Sequence, residues 1–239
     1  MKFNLRFLAG FLALSSCMND YEERIRAETV PAFKVIKLQS VFTVILKNDS
    51  EYSVSIIGDD DVISEIELIS ADETLTLINH AKGKLTNPER NKVTLEISAP
   101  DFQTLIAEES YVLYSAGRLT FNEFSVWNFP EVKVSEVSLD VEGHHFFYWN
   151  NWLAGGKLIL KGNIESVEMH NYALHLIEAR NLNSNYTTIF NYGREDCEVR
   201  ARTQLQYSLN GPGNIIVYGH PPAMVLMERT STGQLILGD

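Results

Sequence analysis

Trp127-Asn128-Phe129, Trp149-Asn150-Asn151, His170-Asn171-Tyr172, Phe190-Asn191-Tyr192 and Leu209-Asn210-Gly211 are the stretches that decide how this chain folds. Their asparagines Asn128, Asn150, Asn171, Asn191 and Asn210 stand 22, 21, 20 and 19 residues apart, and Thr230 follows 20 after the last. A period of this size marks a solenoid, in which each repeat is one coil stacked on the next. One period holds two or three short strands with their corners, and coils stacked about 4.8 Å apart bring the asparagines into a column. Asparagine suits that place because it tolerates left-handed backbone at a corner and its amide pairs with those above and below. The competing reading is a β-sandwich whose turns are punctuated by asparagine.

Outward from the repeat, Val41–Leu46, Tyr52–Ile57, Thr74–Ile78 and Val93–Ile97 are strand-like runs bounded by Asn, Asp, Gly and Pro. The class is therefore all-β. Asp60–Ile69 is expected to hold a short helical turn before a strand, and Asp59-Asp60-Asp61 reads as a solvated turn rather than a cation site.

The start of the chain reads as an address. Met1–Arg6 is basic and Phe7–Leu14 is an apolar run of 8 residues, too short to cross a bilayer of about 30 Å. It ends in Leu14-Ser15-Ser16-Cys17, which looks like a bacterial lipobox. The expectation is a lipoprotein signal peptide over 1–16, acylation of Cys17, a lipidated N-terminus and tether over 17–32, and one domain over 33–239. Several acyl chains on one cysteine make a stable membrane anchor. Asp20, Glu22 and Glu23 read either as part of a signal for export to the outer surface or as a solvated spacer. With Cys17 modified, Cys197 is left as a buried free thiol.

Composition agrees with a soluble globular domain: 45% of the 239 residues are hydrophobic and 21% charged. Twenty basic against 31 acidic side chains give a net charge of −11, the wrong sign for tracking phosphates or docking on anionic lipid headgroups. Nucleic acid is thus excluded as a partner, and membrane contact is expected through the anchor alone.

Asn210-Gly-Pro-Gly-Asn-Ile215, then Val217-Tyr-Gly-His-Pro221 and Thr230-Ser-Thr-Gly-Gln-Leu235, resemble the C-terminal repeats of the GIN-domain putative adhesins, secreted and lipid-anchored proteins of Gram-negative bacteria. Phe42–Leu46 with Tyr52–Ile56 resembles that family's opening strand pair. The resemblance spans about residues 33 to 239. It implies a right-handed parallel β-helix with coils of about 20 residues. It also implies a non-enzymatic binding or adhesion module at the outer membrane or cell surface, with a glycan or surface-protein ligand and no cofactor. The middle coils depart from the family by carrying bulky aromatics where Gly-Ser-Gly corners are usual.

Those aromatics are the candidate site. Residues on either side of each asparagine face away from it, so Trp127, Phe129, Trp149, His170, Tyr172, Phe190 and Tyr192 share one face. As core they are packing; as surface they are a platform for sugar rings or a partner protein. The core reading takes precedence, with Tyr148 and Trp152 as surface-facing members. If the strip binds, its candidate contacts are Tyr148, Trp149, Trp152, Tyr172 and Tyr192.

Two other classes stay open, a β-helix enzyme that cleaves polysaccharide and a purely structural envelope protein. Counting along the repeat puts His175 and Glu195 in one column, a surface ion pair in preference to an acid–base pair. Glu108-Glu109, Glu195-Asp196 and His144-His145 are adjacent on strands and point to opposite faces, so none is a ready dyad or metal pair. No catalytic or metal-ligating set is expected.

Overall fold

The computed structural model describes residues 23–82, 91–151 and 154–239. Chain order begins β1 (Glu23–Thr29), β2 (Val35–Leu38), β3 (Phe42–Asn48) and β4 (Ser53–Asp59), followed by the single-turn helix α1 (Asp60–Ile63). Next come β5 (Ile66–Ala71), β6 (Thr74–Asn79), β7 (Thr94–Ala99) and β8 (Thr104–Ala107). Four long strands form the middle: β9 (Tyr111–Asn128), β10 (Val134–Trp149), β11 (Gly155–Asn171) and β12 (His175–Asn191). The chain closes with β13 (Cys197–Arg200), β14 (Gln204–Leu209), β15 (Ile215–Tyr218), β16 (Ala223–Arg229) and β17 (Leu235–Leu237).

Stacked parallel coils of about 21 residues make a β-solenoid of about six turns. Register follows the sequence period: Trp127 pairs with Trp149, Trp149 with His170, His170 with Phe190 and Phe190 with Ser208. Each long strand runs along one side of the coil and bends onto the other. In β11 the bend falls at Gly162, whose φ of 113° is closed to other residues and whose missing Cβ lets the Val141 carbonyl approach.

Alternation decides what is inside. In β10, Val137, Leu139 and Val141 point inward before the bend and Phe146 and Tyr148 after it. Coil-on-coil repetition stacks these positions into rows, so Phe102, Phe124 and Phe146 pack with centroids 6.3 and 5.8 Å apart. Such rings contribute about 0.5 to 1.5 kcal/mol per pair beyond their buried area.

The N-terminal end is sealed. Asp59 caps α1 by accepting from the Asp61 amide, and Val62 and Ile63 bury their side chains against the first coil. The expected helical turn is therefore present, with Asp59 buried as its cap instead of solvated.

The tether over 17–32 needs correcting within its described part. Glu23–Thr29 is β1, paired antiparallel with β4, and Arg26 donates to the carbonyls of Ile63 and Ile66, both at 2.6 Å. Its charges hid the strand: most of it is exposed, so it shows no apolar alternation. Cys17 and residues 1–16 lie outside the described residues. Among those described, no helix is long and apolar enough to cross a membrane.

Candidate functional site

The asparagine column is real and faces inward. Asn128, Asn150, Asn171 and Asn191 are all buried. Asn128 donates to Asn150 Oδ1 at 3.1 Å and Asn171 to Asn191 Oδ1 at 3.2 Å. Between these pairs the Asn150 amide turns instead to the carbonyls of Ala154 and Tyr172. Asn210 is not part of the column. The register sets Leu209, 18 residues on, opposite Asn191, so Leu209 takes the inward place and Asn210, one residue past it, bonds Glu228 and Thr230 at the surface.

Other polar side chains join the column inside. The Tyr111 hydroxyl donates to Asn128 Oδ1 at 2.7 Å, Asn128 donates to Ser135 and Tyr148, and Tyr148 Oη lies 2.9 Å from His175 Nε2. Burial pushes the His175 imidazole down to about 4, so it is neutral at pH 7. This corrects two expectations. Tyr148 is interior, because it stands two residues before inward Asn150. His175 makes no ion pair with Glu195, since His175 is buried while Glu195 is exposed.

Cys197 is a buried free thiol, as expected, with Asn171 Nδ2 3.2 Å from its sulfur. Burial pushes it up to about 12, so little thiolate exists at neutral pH. Native protein is expected to resist a thiol reagent at pH 8 over hours, whereas urea-unfolded protein reacts within minutes. Rapid labelling of Cys197 in the native state would contradict this burial.

The aromatic strip lies on the outside, which overturns the core reading. With each asparagine inward, its neighbours must point outward. Trp127 packs on Phe147 with centroids 4.5 Å apart and on Trp149 at 6.0 Å; Trp149 packs tilted on His170 at 4.6 Å, and His170 stacks on Phe190 at 4.3 Å. Past the corner, Tyr172 and Tyr192 stack at 4.6 Å and 9°. Tyr172 is buried by this packing and Tyr192 half-buried. Rings within the stack have faces covered by neighbours, whereas Trp127, beyond which stands Ile106, is 38% exposed. Trp152 lies outside the described residues.

Beside Phe147, the ring on which Trp127 packs, opens a groove of about 340 Å³ lined also by Asp101, Gln103, Asn122, Glu123 and His145, with Thr104 and Ser125. Asp101 Oδ1 is buried at the edge of this groove without a hydrogen-bond partner. Thr104 and Ser125 satisfy each other at 3.0 Å. Ser166 Oγ sits 2.8 Å from His145 Nδ1, the outline of a nucleophile and base, but among the described residues no carboxylate lies within ion-pair distance of His145 to orient it. A larger, more apolar groove of about 690 Å³ lies beside Val41, Phe42 and Tyr111 and reaches Asn91 and Lys92.

The family model described as putative auto-transporter adhesin, head GIN domain matches residues 32–221. The chain belongs to this adhesin family. Solved structures share the fold of this GIN domain. A putative adhesin from Bacteroides fragilis is 18% identical with a TM-score of 0.80, the alignment covering 91% of this chain and 97% of that one. A putative lipid binding protein from Parabacteroides distasonis is 12% identical with a TM-score of 0.59, over 91% and 97% of the two chains. A putative adhesin from Parabacteroides merdae has the same identity and coverage with a TM-score of 0.56. No curated protein matches the chain.

Sequence reasoning missed the groove of this GIN domain, although the period contained it. Asp101, Glu123 and His145 stand 22 and 22 residues apart, the spacing of Asn128 and Asn150. Polar residues at that spacing carry no apolar signal, so only the asparagines drew notice.

Proposed function

We propose that this GIN domain is a non-enzymatic binding module of the cell envelope that recognises a neutral glycan on the outer face of its middle coils. The observation that carries the reading is Trp127, 38% exposed at one end of a run of outward rings that core packing does not require. Aromatic rings beside hydrogen-bonding side chains suit a sugar, which has apolar C–H faces and a hydroxyl rim. Here the polar partners are Asp101, Gln103, Asn122 and His145, which line one groove with Phe147, the ring that packs on Trp127. A net charge of −11 disfavours sulfated or phosphorylated polymers, which leaves neutral ones. Contacts therefore shift from the sequence candidates Tyr148 and Tyr172, both buried, toward Trp127, Phe147 and Asp101. Adhesin-family membership supports a binding role, and anchoring at Cys17 rests on the lipobox.

A glycan array probed with the full chain, followed by a turnover assay on each retained glycan, tests the reading. Retention without new reducing ends or unsaturated products is expected. Trp127→Ala should weaken retention at least about tenfold, the loss of one binding anchor, with the strand circular dichroism retained and a stability cost of about 1 to 3 kcal/mol from its two ring contacts. Release of cleaved products would place the domain among enzymes instead. For the anchor, Cys17→Ala should move the protein from the membrane to the soluble fraction.

A further inference from the structure

The solenoid is closed at one end and open at the other. At the N-terminal end α1 lies across the coil between the two edge strands there, β1 with Glu23, Arg24, Arg26 and Glu28 and β5 with Glu67, charges that discourage pairing with another chain. At the C-terminal end β16 pairs with β14 and β17 with β15, and among the described residues no strand pairs with their other edges. These two strands continue the interior rows: Leu205 is followed by Met224, Tyr207 by Leu226, Ile215 by Leu235 and Val217 by Leu237. Leu205, Ile215 and Val217 are at most 1% exposed, yet Met224, Leu226 and Leu237 are 46, 47 and 55% exposed. The hydrophobic interior itself thus meets solvent here, and the outward side chains Val225, Met227 and Ile236 add to the patch.

We propose that this open coil is covered by the same coil of a second copy, tail to tail about a two-fold axis crossing the solenoid axis. A cover must supply strand edges to β16 and β17 at once, at the separation of the two sides of a coil. The terminal coil of another copy has that shape. Head-to-tail stacking is blocked by α1 and the charged β1, so the contact is isologous and closes at two. Antiparallel pairing of each edge with its own copy keeps inward side chains inward, and Met224, Leu226, Leu235 and Leu237 then meet their counterparts as one continuous core. Met224, Leu226 and Leu237, 46 to 55% exposed, form the end face with Leu235 and the free backbone edges of β16 and β17, and Val225, Met227 and Ile236 flank the seam. Backbone pairing along both strand edges adds to the apolar contact, as a stable interface needs. Charge agrees: with −11 on each copy most surfaces repel, but Met224–Met227 and Leu235–Leu237 carry none.

Sedimentation of the full chain carrying Cys17→Ala, which removes the acyl anchor, tests this. Twice the 27.1 kDa chain mass is expected from about 10 μM upward. Leu226→Lys with Leu237→Lys should weaken association at least about a hundredfold, with the strand circular dichroism retained. Should that variant fail to fold, hydrogen exchange on the unsubstituted interface decides: amides of β16 and β17 gain protection as concentration rises, while those of β1 do not. A single-chain mass up to about 1 mM overturns the proposal. So does a polymer larger than two, a dimer indifferent to the double substitution, or protection of β16 and β17 that ignores concentration.

Discussion

Gly162→Ala is expected to destabilise the protein by at least about 4 kcal/mol, in the range reserved for substitutions that break a packed element. Two effects add. Gly162 has a φ of 113°, where a side chain is strained, and a Cβ there runs into the Val141 carbonyl oxygen of the coil beneath. The second effect is the larger, because a backbone atom of a paired strand cannot step aside without opening β10 from β11. Gly117 separates the two: its φ is 84°, but nothing lies within 4 Å of where its Cβ would be. Gly117→Ala should therefore cost only the strain, about 1 to 2 kcal/mol. Urea unfolding of both variants measures the contrast. Because a solenoid is held by contacts between neighbouring coils, Gly162→Ala should also split one unfolding transition into two. Equal losses at the two glycines would contradict the close coil contact.

Acid is expected to weaken the fold through His175. Its imidazole titrates near 4 when folded, against about 6.5 in the unfolded chain. Between those values the unfolded chain binds the proton and the folded chain does not, so stability falls as pH drops. The contribution is fully present above pH 6.5, is lost progressively below it, and levels off under pH 4. Its full size is about 3 kcal/mol. Carboxylates also titrate in this window, so the measurement is the difference between the wild-type chain and His175→Gln, which keeps a polar contact for Tyr148. Urea unfolding at pH 7.5 and pH 4.5 should show the wild type losing about 2 to 3 kcal/mol more than the variant. Parallel losses would mean that His175 already carries its proton when folded.

Sequence carried the fold further than it carried the face. Asparagine spacing was enough to place the coils and their register, because a stacked column repeats at the length of one coil. It left open whether the column faces in or out, since alternation assigns residues to opposite sides without saying which side is interior. Only the surrounding rows decide that: Tyr148, Met169 and Ile189, each two residues before an asparagine, are buried, and they take the asparagines inward with them. Trp127, Trp149, His170 and Phe190 are thereby sent out. Asn210 shows where counting fails, for the register advances 18 residues from Asn191 while the asparagine comes after 19, and one residue of mismatch turns the same letter to the opposite side. β1 failed for another reason: an edge strand at a sealed end is held by backbone pairing and by Arg26, neither of which leaves an apolar pattern.

The outer face as binding surface is tested most directly by the fluorescence of its own tryptophans. The chain has three, and Trp152→Phe leaves Trp127 and Trp149, both in the ring stack. Titrating that variant with a glycan retained on the array should shift the emission saturably, and Trp127→Ala should abolish most of the shift along with the affinity. Saturable binding by calorimetry with emission unchanged, and with Trp127→Ala binding as tightly as its parent, would place the ligand elsewhere and contradict the account.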